Sequence, residues 1–244
     1  MSLISDNLQA VLADIQYVER QAEREPGQVR LLAVSKTFGT DAVLAAAQAG
    51  QLAFGENYLQ EALDKITAVR EMAPQLALEW HFIGPIQSNK TKPIAENFSW
   101  VHSVDRAKIA ERLSAQRPSD LPALNICIQV NISAEASKSG VLPEQALALA
   151  QEIAALPHLR LRGLMAVPAA SNDMEQQRAA FRQLRALSDT IRQHGIALDT
   201  LSMGMSADLA AAIWEGSTMV RIGTAIFGSR QCQLPRPQEA VAKA

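Results

Sequence analysis

From residue 31 onward, short apolar runs rich in β-branched residues alternate with segments whose apolar positions recur at helical spacing. The runs are LLAVSK (31–36), LAFGEN (52–57), EWHFIG (79–84), WVHSVD (100–105), NICIQVNI (125–132), LRLRGLMAVP (159–168), TLSMGMS (200–206) and MVRIGTAIFG (219–228). Each but the last is followed by a helical pattern, and a strand that leads into a helix and then another strand requires a parallel crossover. Eight such runs in 244 residues point to a single (β/α)8 barrel over residues 1–228. An open doubly wound sheet is the rival, but no G-x-G-x-x-G follows the first run, which weakens its dinucleotide-binding form.

Local signals set the boundaries. An opening helix is expected over about residues 5–24, with Leu8, Val11, Leu12, Ile15 and Val18 on one face and Ser5 as its cap. Thr40 or Asp41 should cap the helix after the first run, and Gly50, Gly195 and Gly216 are placed to end helices in a left-handed conformation. Pro143 suits a first helical position. The tail 229–244 is rich in Pro and Gln and is expected to be loosely ordered.

Composition removes several function classes. With 48% hydrophobic and 20% charged residues and a net charge of -2, the chain can build a large core and has no basic footprint for nucleic acid. No apolar stretch reaches the roughly 20 residues of a membrane helix, and the N-terminus has no signal-peptide pattern, so a cytoplasmic protein is expected. Cys127 and Cys232 have neither zinc-site nor redox-pair spacing and read as reduced thiols, the first of them buried.

Chemistry in such a barrel is placed at the C-terminal ends of the strands, and Lys36 stands at the end of the first. A lone lysine is most often a solvated charge. Beside apolar strand residues, however, an amine loses hydration, and its neutral form can attack a carbonyl to give a Schiff base. The last two strands supply possible neighbours. Ser206 and Asp208 open the helix after GMS, whose N-terminus would present unpaired N–H groups to a phosphate, and the backbone at Gly223 and Thr224 allows close approach, in the loops where barrels often hold phosphate. Either feature also has an ordinary explanation, as a helix cap or a close-packing glycine. Arg221, two residues before Gly223, shares its side of the strand and points into the barrel mouth. A lysine, a phosphate cradle and an arginine together describe a receptor for a phosphorylated aldehyde, and pyridoxal 5'-phosphate (PLP) fits all three.

Other candidates are weaker. His81 and His102 lie in strand segments without a partnered nucleophile and read as core or supporting histidines, while His158 and His194 read as surface residues. No H-E-x-x-H, G-x-S-x-G or P-loop pattern occurs. The polar loop NISAEASKSG (131–140) lies on the functional rim, either as a plain connection or as a flap that brings Lys138 toward a ligand.

The stretches LLAVSK, FGENYLQE, WHFIGPIQSNK, NIS...SKSG, RGLMAVP and GMSADLAAAIWEGSTMVRIGTAIFG resemble the pyridoxal phosphate homeostasis protein family, over about residues 3–228. The resemblance implies the barrel found as the N-terminal domain of alanine racemases. It matches Lys36 to the lysine that holds the cofactor, Ser206, Gly223 and Thr224 to phosphate-binding positions, Arg221 to an arginine facing the pyridine nitrogen, and Asn57 to a residue lining the pocket. It implies PLP as ligand, PLP-dependent apo-enzymes as partners, and a monomer. One departure is that TFGT follows Lys36 where many members carry a Lys-Pro pair.

An arginine beside the ring nitrogen leaves the pyridine unprotonated and a poor electron sink, which disfavours transamination and decarboxylation. Racemisation needs a second acid/base opposite the lysine. Racemases of similar fold take a tyrosine from an added domain; no such domain is expected here, and Tyr17 and Tyr58 are not obviously placed for the role. The leading expectation is a non-catalytic PLP carrier, with an amino-acid racemase and a cofactor-free Schiff-base aldolase as alternatives.

Overall fold

A computed structural model describes residues 2–133, 135 and 138–228. Eight parallel strands close into a barrel in sequence order: β1 (Arg30–Val34), β2 (Ala53–Glu56), β3 (Glu79–Phe82), β4 (Trp100–Val104), β5 (Leu124–Gln129), β6 (Leu159–Met165), β7 (Thr200–Ser202) and β8 (Met219–Ile222). Pairing of β1 with β8, which sets Leu32 beside Arg221, closes the ring. The intervening helices are α2 (Thr40–Gln48), α3 (Leu59–Met72), α4 (Thr91–Asn97), α5 (Ala107–Gln116), α6 (Ala146–Ala154), α7 (Met174–Gln193) and α8 (Leu209–Trp214). α1 (Leu3–Gln21) precedes the barrel and packs on α8 and on α9 (Thr224–Phe227), a short helix after β8. The barrel and its N-terminal helix are therefore as the alternation predicts. The tail from residue 229, with Cys232, lies outside the described residues.

Strand alternation sorts the barrel into two environments. Outward positions such as Leu31, Ala33, Val101, Ile126, Ile128 and Val220 join the helices in the main core. Inward positions form smaller clusters, Leu32 with Ala53 and Met219, and Trp100 with Cys127 and Met165. Gly163 on β6 is needed where it stands, because a Cβ there would lie 1.7 Å from the Thr200 carbonyl oxygen of β7.

Helix ends show where sequence signals compete. α1 starts at Leu3, with Ser2 as its cap accepting from the Ser5 amide, so Ser5 is the capped residue rather than the cap. α1 also ends earlier than its apolar pattern suggests: Glu23 turns to φ 54° and the Glu19 carboxylate takes up the amides of Gly27 and Val29. At α2, Gly39 holds the cap position without a side-chain bond, and Thr40 is already helical. Gly50, Gly195 and Gly216 all have positive φ, as expected for helix ends. Pro143 begins a single 3-10 turn that feeds α6.

Candidate functional site

Lys36 sits two residues past the end of β1, and its neighbours on both sides are fixed by a buried ion network. Lys65 on α3 donates to Glu56 Oε1 (2.6 Å), Glu61 Oε1 (2.8 Å) and the Ser35 carbonyl (2.8 Å). Ser35 Oγ donates to the same Glu56 oxygen (2.6 Å), and the Thr37 amide donates to Glu61 (2.6 Å). Thr37 adopts φ 68°, a strained conformation for a β-branched residue. The Glu61 bond holds that turn in place, which gives the TFGT segment its shape without a proline. Burial pushes the Glu56 carboxyl above the ordinary range, against the opposing pull of Lys65.

Across the mouth, β7 and β8 supply a different kind of wall. Arg221 is 5% exposed and donates to the Ser202 carbonyl (2.5 Å), Ser202 Oγ (2.9 Å) and the Ala166 carbonyl (2.9 Å). Every one of these acceptors is neutral, and burial pulls the guanidinium pKa down to about 10. Further N–H groups of the side chain are not used by these bonds. Ser206 differs from its expected place as a helix opener: α8 begins only at Leu209 with Asp208 at the cap position. The Asp208 carboxylate turns back to the Met205 amide (2.5 Å), so the helix is delayed and Ser206 is left exposed in the preceding turn. At the end of β8, a Cβ on Gly223 would meet the Val34 carbonyl oxygen at 3.0 Å, so this glycine is first a close-packing residue against β1. The amides of Gly223 and Thr224 open α9 and make no backbone hydrogen bond among the described residues.

Both walls border one cavity of about 480 Å³ at the C-terminal mouth of the barrel. It brings together all six residues singled out from the sequence, Lys36, Asn57, Ser206, Arg221, Gly223 and Thr224, with apolar surface from Val34, Phe38, Ile83, Met165, Val167 and Met205. Lys36 and Arg221 are the only ionisable side chains among the described residues of the lining. The side chain of Asn57, one of the lining residues, has a buried Oδ1 with no hydrogen-bond partner among the described residues. Phe38 lines one side and meets Phe227 in a tilted ring contact, centroids 5.1 Å apart.

Other expected residues fall elsewhere. His81 and His102 are fully buried inside the barrel below the cavity, and His158 and His194 are exposed. Cys127 is buried, with its thiol pushed up to about 12 by burial. Tyr17 lies on the exposed side of α1, and Tyr58 borders a neighbouring cavity instead of this one. In the loop after β5, Lys138 pairs with Glu135 (3.0 Å) and lines an adjoining cavity with Val167, Met205 and Asp208; residues 134, 136 and 137 lie outside the described residues. The sequence reading missed Glu56, Glu61 and Lys65. The i,i+4 spacing of Glu61 and Lys65 was the available signal, though in a helix it ordinarily marks a solvated pair.

The alanine racemase N-terminal domain family model matches residues 7–231. A pyridoxal phosphate homeostasis protein of Pseudomonas aeruginosa is 57% identical over 235 residues, 96% of this chain and 99% of that protein. The chain belongs to the pyridoxal phosphate homeostasis protein family. PipY of Synechococcus elongatus, solved with PLP bound, is similar in structure (TM-score 0.79, 32% identity, 92% of this chain and 100% of that one). The alanine racemase of Corynebacterium glutamicum shares the fold (TM-score 0.64, 20% identity), with 95% of this chain matching 62% of the racemase. Members are named for homeostasis rather than for a reaction. Among the described residues no helix is long and apolar enough to cross a membrane.

Proposed function

We propose that this chain binds PLP through Lys36 and holds it in reserve for PLP-dependent apo-enzymes without turning over amino acids. The observation that carries the reading is the single cavity lined by Lys36, Asn57, Ser206, Arg221, Gly223 and Thr224. When bound, PLP supplies an aldehyde that a primary amine can trap reversibly and a phosphate that needs several donors. The lining fits such a group. An unpartnered buried Asn57 oxygen, the first amides of α9 and guanidinium N–H groups beyond those already bonded all present polar capacity that the described residues do not satisfy.

Each residue then has a defined task. Lys36 offers its amine from a backbone that is fixed on both sides by the Glu56–Lys65–Glu61 network. The Ser206 hydroxyl and the Gly223 and Thr224 amides would hold the phosphate. Arg221 would hold the ring nitrogen with a donor that stays protonated at neutral pH, since burial lowers its pKa only to about 10. Apolar Val34, Ile83 and Met165 would limit water around the ring.

The shared racemase fold makes amino-acid racemisation the second reading, and the lining argues against it. Among its described residues, no tyrosine, histidine, cysteine or carboxylate is available to exchange a proton on the face opposite Lys36. Visible absorption of the protein with PLP, followed by chirality measurements on added D- and L-amino acids, separates the readings. A visible band with unchanged chirality is expected. Sustained inversion of the amino acid would make the chain an enzyme, and the lack of any band would leave a cofactor-free aldolase.

A further inference from the structure

Below the cavity, an unbroken line of hydrogen bonds crosses the inside of the barrel from the mouth to the opposite rim. Arg221 Nη1 on β8 meets Ser202 Oγ on β7 at 2.9 Å, and Ser202 Oγ meets His102 Nδ1 on β4 at 2.9 Å. His102 Nε2 meets His81 Nδ1 on β3 at 2.9 Å, and His81 Nε2 meets Glu79 Oε1 at 2.5 Å. Glu79 begins β3 at the bottom of the barrel, where it also pairs with Arg30 of β1 at 2.8 Å. Ser202, His81 and His102 are all 0% exposed. Trp100 stacks on His81 with its ring tilted by only 6°, so the imidazole plane is set by packing as well as by bonds.

Donor and acceptor inventories allow one direction of bonding along this line. Arg221 can only donate, so it occupies a lone pair of Ser202. The Ser202 proton then needs an acceptor, and His102 Nδ1 is the partner available among the described residues. His102 must therefore carry its proton on Nε2 and give it to His81 Nδ1, which leaves His81 with its proton on Nε2, facing the Glu79 carboxylate. From the other end, an ionised Glu79 can only accept, and it demands the same arrangement. The opposite direction would leave the Ser202 proton without an acceptor and set the His81 lone pair against a carboxylate oxygen.

The charge states agree with this geometry. Burial lowers His81 and lowers His102 well below the ordinary value, so both imidazoles are neutral. Burial alone would raise Glu79, but the His81 hydrogen bond and the Arg30 guanidinium hold it below the ordinary carboxylate range. Arg30 at the bottom acts on both histidines, and Asp208 at the mouth acts on Arg221. Among the described residues, Arg221 has no carboxylate bonded to it directly.

We propose that Ser202, His102, His81 and Glu79 form a polarised hydrogen-bond relay that orients the Arg221 guanidinium at the cavity floor, making them positioning residues for the cofactor-facing arginine. The relay is a property of the ligand-free chain. Its consequence for the cofactor rests on the PLP-binding reading above.

Long-range proton–nitrogen spectra of the ligand-free, ¹⁵N-histidine-labelled protein at neutral pH test the relay. The expected result is that His81 and His102 are both neutral, with Nε2 protonated and Nδ1 accepting, and that Ser202→Ala shifts His102 Nδ1 toward the resonance of an unbonded acceptor. A proton on Nδ1 of either residue, or an imidazolium, would overturn the proposal. PLP affinity, read from the visible band, tests the consequence. Loss of one hydrogen bond to a charged group should weaken binding by about tenfold in Ser202→Ala, with most of it recovered in Ser202→Thr. Unchanged affinity in Ser202→Ala would contradict the positioning role. A wild-type protein with the expected tautomers and no visible band would instead reject the PLP reading while leaving the relay intact.

Discussion

The two walls of the cavity are held in opposite ways. Around Lys36, side chains from β2 and α3 take up the flanking backbone groups: Lys65, Glu56, Glu61 and Ser35 bond among themselves, with Glu56 Oε2 left without a partner among the described residues, and Lys36 sits between two anchored residues. Around Ser206, Gly223 and Thr224, the chain leaves polar groups unused among the described residues, in a turn and at the start of a short helix. The difference teaches how a reversible covalent site can be built. On the PLP-binding reading proposed above, the end that would form a bond is fixed before any ligand arrives, while the end that would bind charge is completed by the ligand.

Changes in the ion network behind Lys36 should therefore act mainly on stability, and changes on the second wall on binding. The largest effect is expected from Lys65→Met. It leaves Glu56 buried without its cation, and breaking such a pair costs about 3 kcal/mol or more, which urea unfolding would register. A loss below about 1 kcal/mol would mean that Glu56 is neutralised at little cost and the network anchors less than its geometry suggests.

Gly223→Ala comes next and straddles the contrast. Its Cβ would press on the Val34 carbonyl oxygen at 3.0 Å and move the end of β8 away from β1. PLP affinity should fall by about tenfold with a stability loss of about 1 kcal/mol. Equal affinity would show that the amides of this wall do not touch the phosphate.

Ser206→Ala should weaken PLP by about fivefold through one lost hydrogen bond, with unfolding unchanged because the residue is exposed. A change in stability without one in affinity would reverse the assignment of the two walls.

The smallest effect lies beneath both walls. Glu79 has a folded pKa of about 2, depressed below its unfolded value, so its contribution to stability is present above the unfolded pKa and is lost as pH falls toward 2. Glu79→Gln should flatten the fall in stability of the ligand-free protein over roughly pH 4 to 2. An unaltered acid limb would remove Glu79 from the charge balance of the barrel.

The sequence announced the barrel through period, and the lining of the cavity through position at strand ends. Lys36, Arg221 and Gly223 were legible because a residue at the end of a parallel strand can point to few places. Ser206 was only half legible: its place in the cavity was visible, but the delay of α8 depends on Asp208 turning back to Met205, a choice between two caps that local sequence leaves open. The Lys65 network was not legible, because Glu61 and Lys65 read as an ordinary exposed helix pair until Glu56 is brought beneath them by β2. Nor was the relay, since His81 and His102 become partners only through the pairing of β3 with β4, and Ser202 joins them from across the barrel.

The most direct measurement of the central claim is borohydride reduction of the protein saturated with PLP, followed by peptide mapping. Reduction makes the link between cofactor and amine permanent, and the account predicts the label on the peptide that contains Lys36, with none in Lys36→Ala. A label on Lys138 or Lys65 with Lys36 unmodified, or saturable binding that leaves no label, would contradict it.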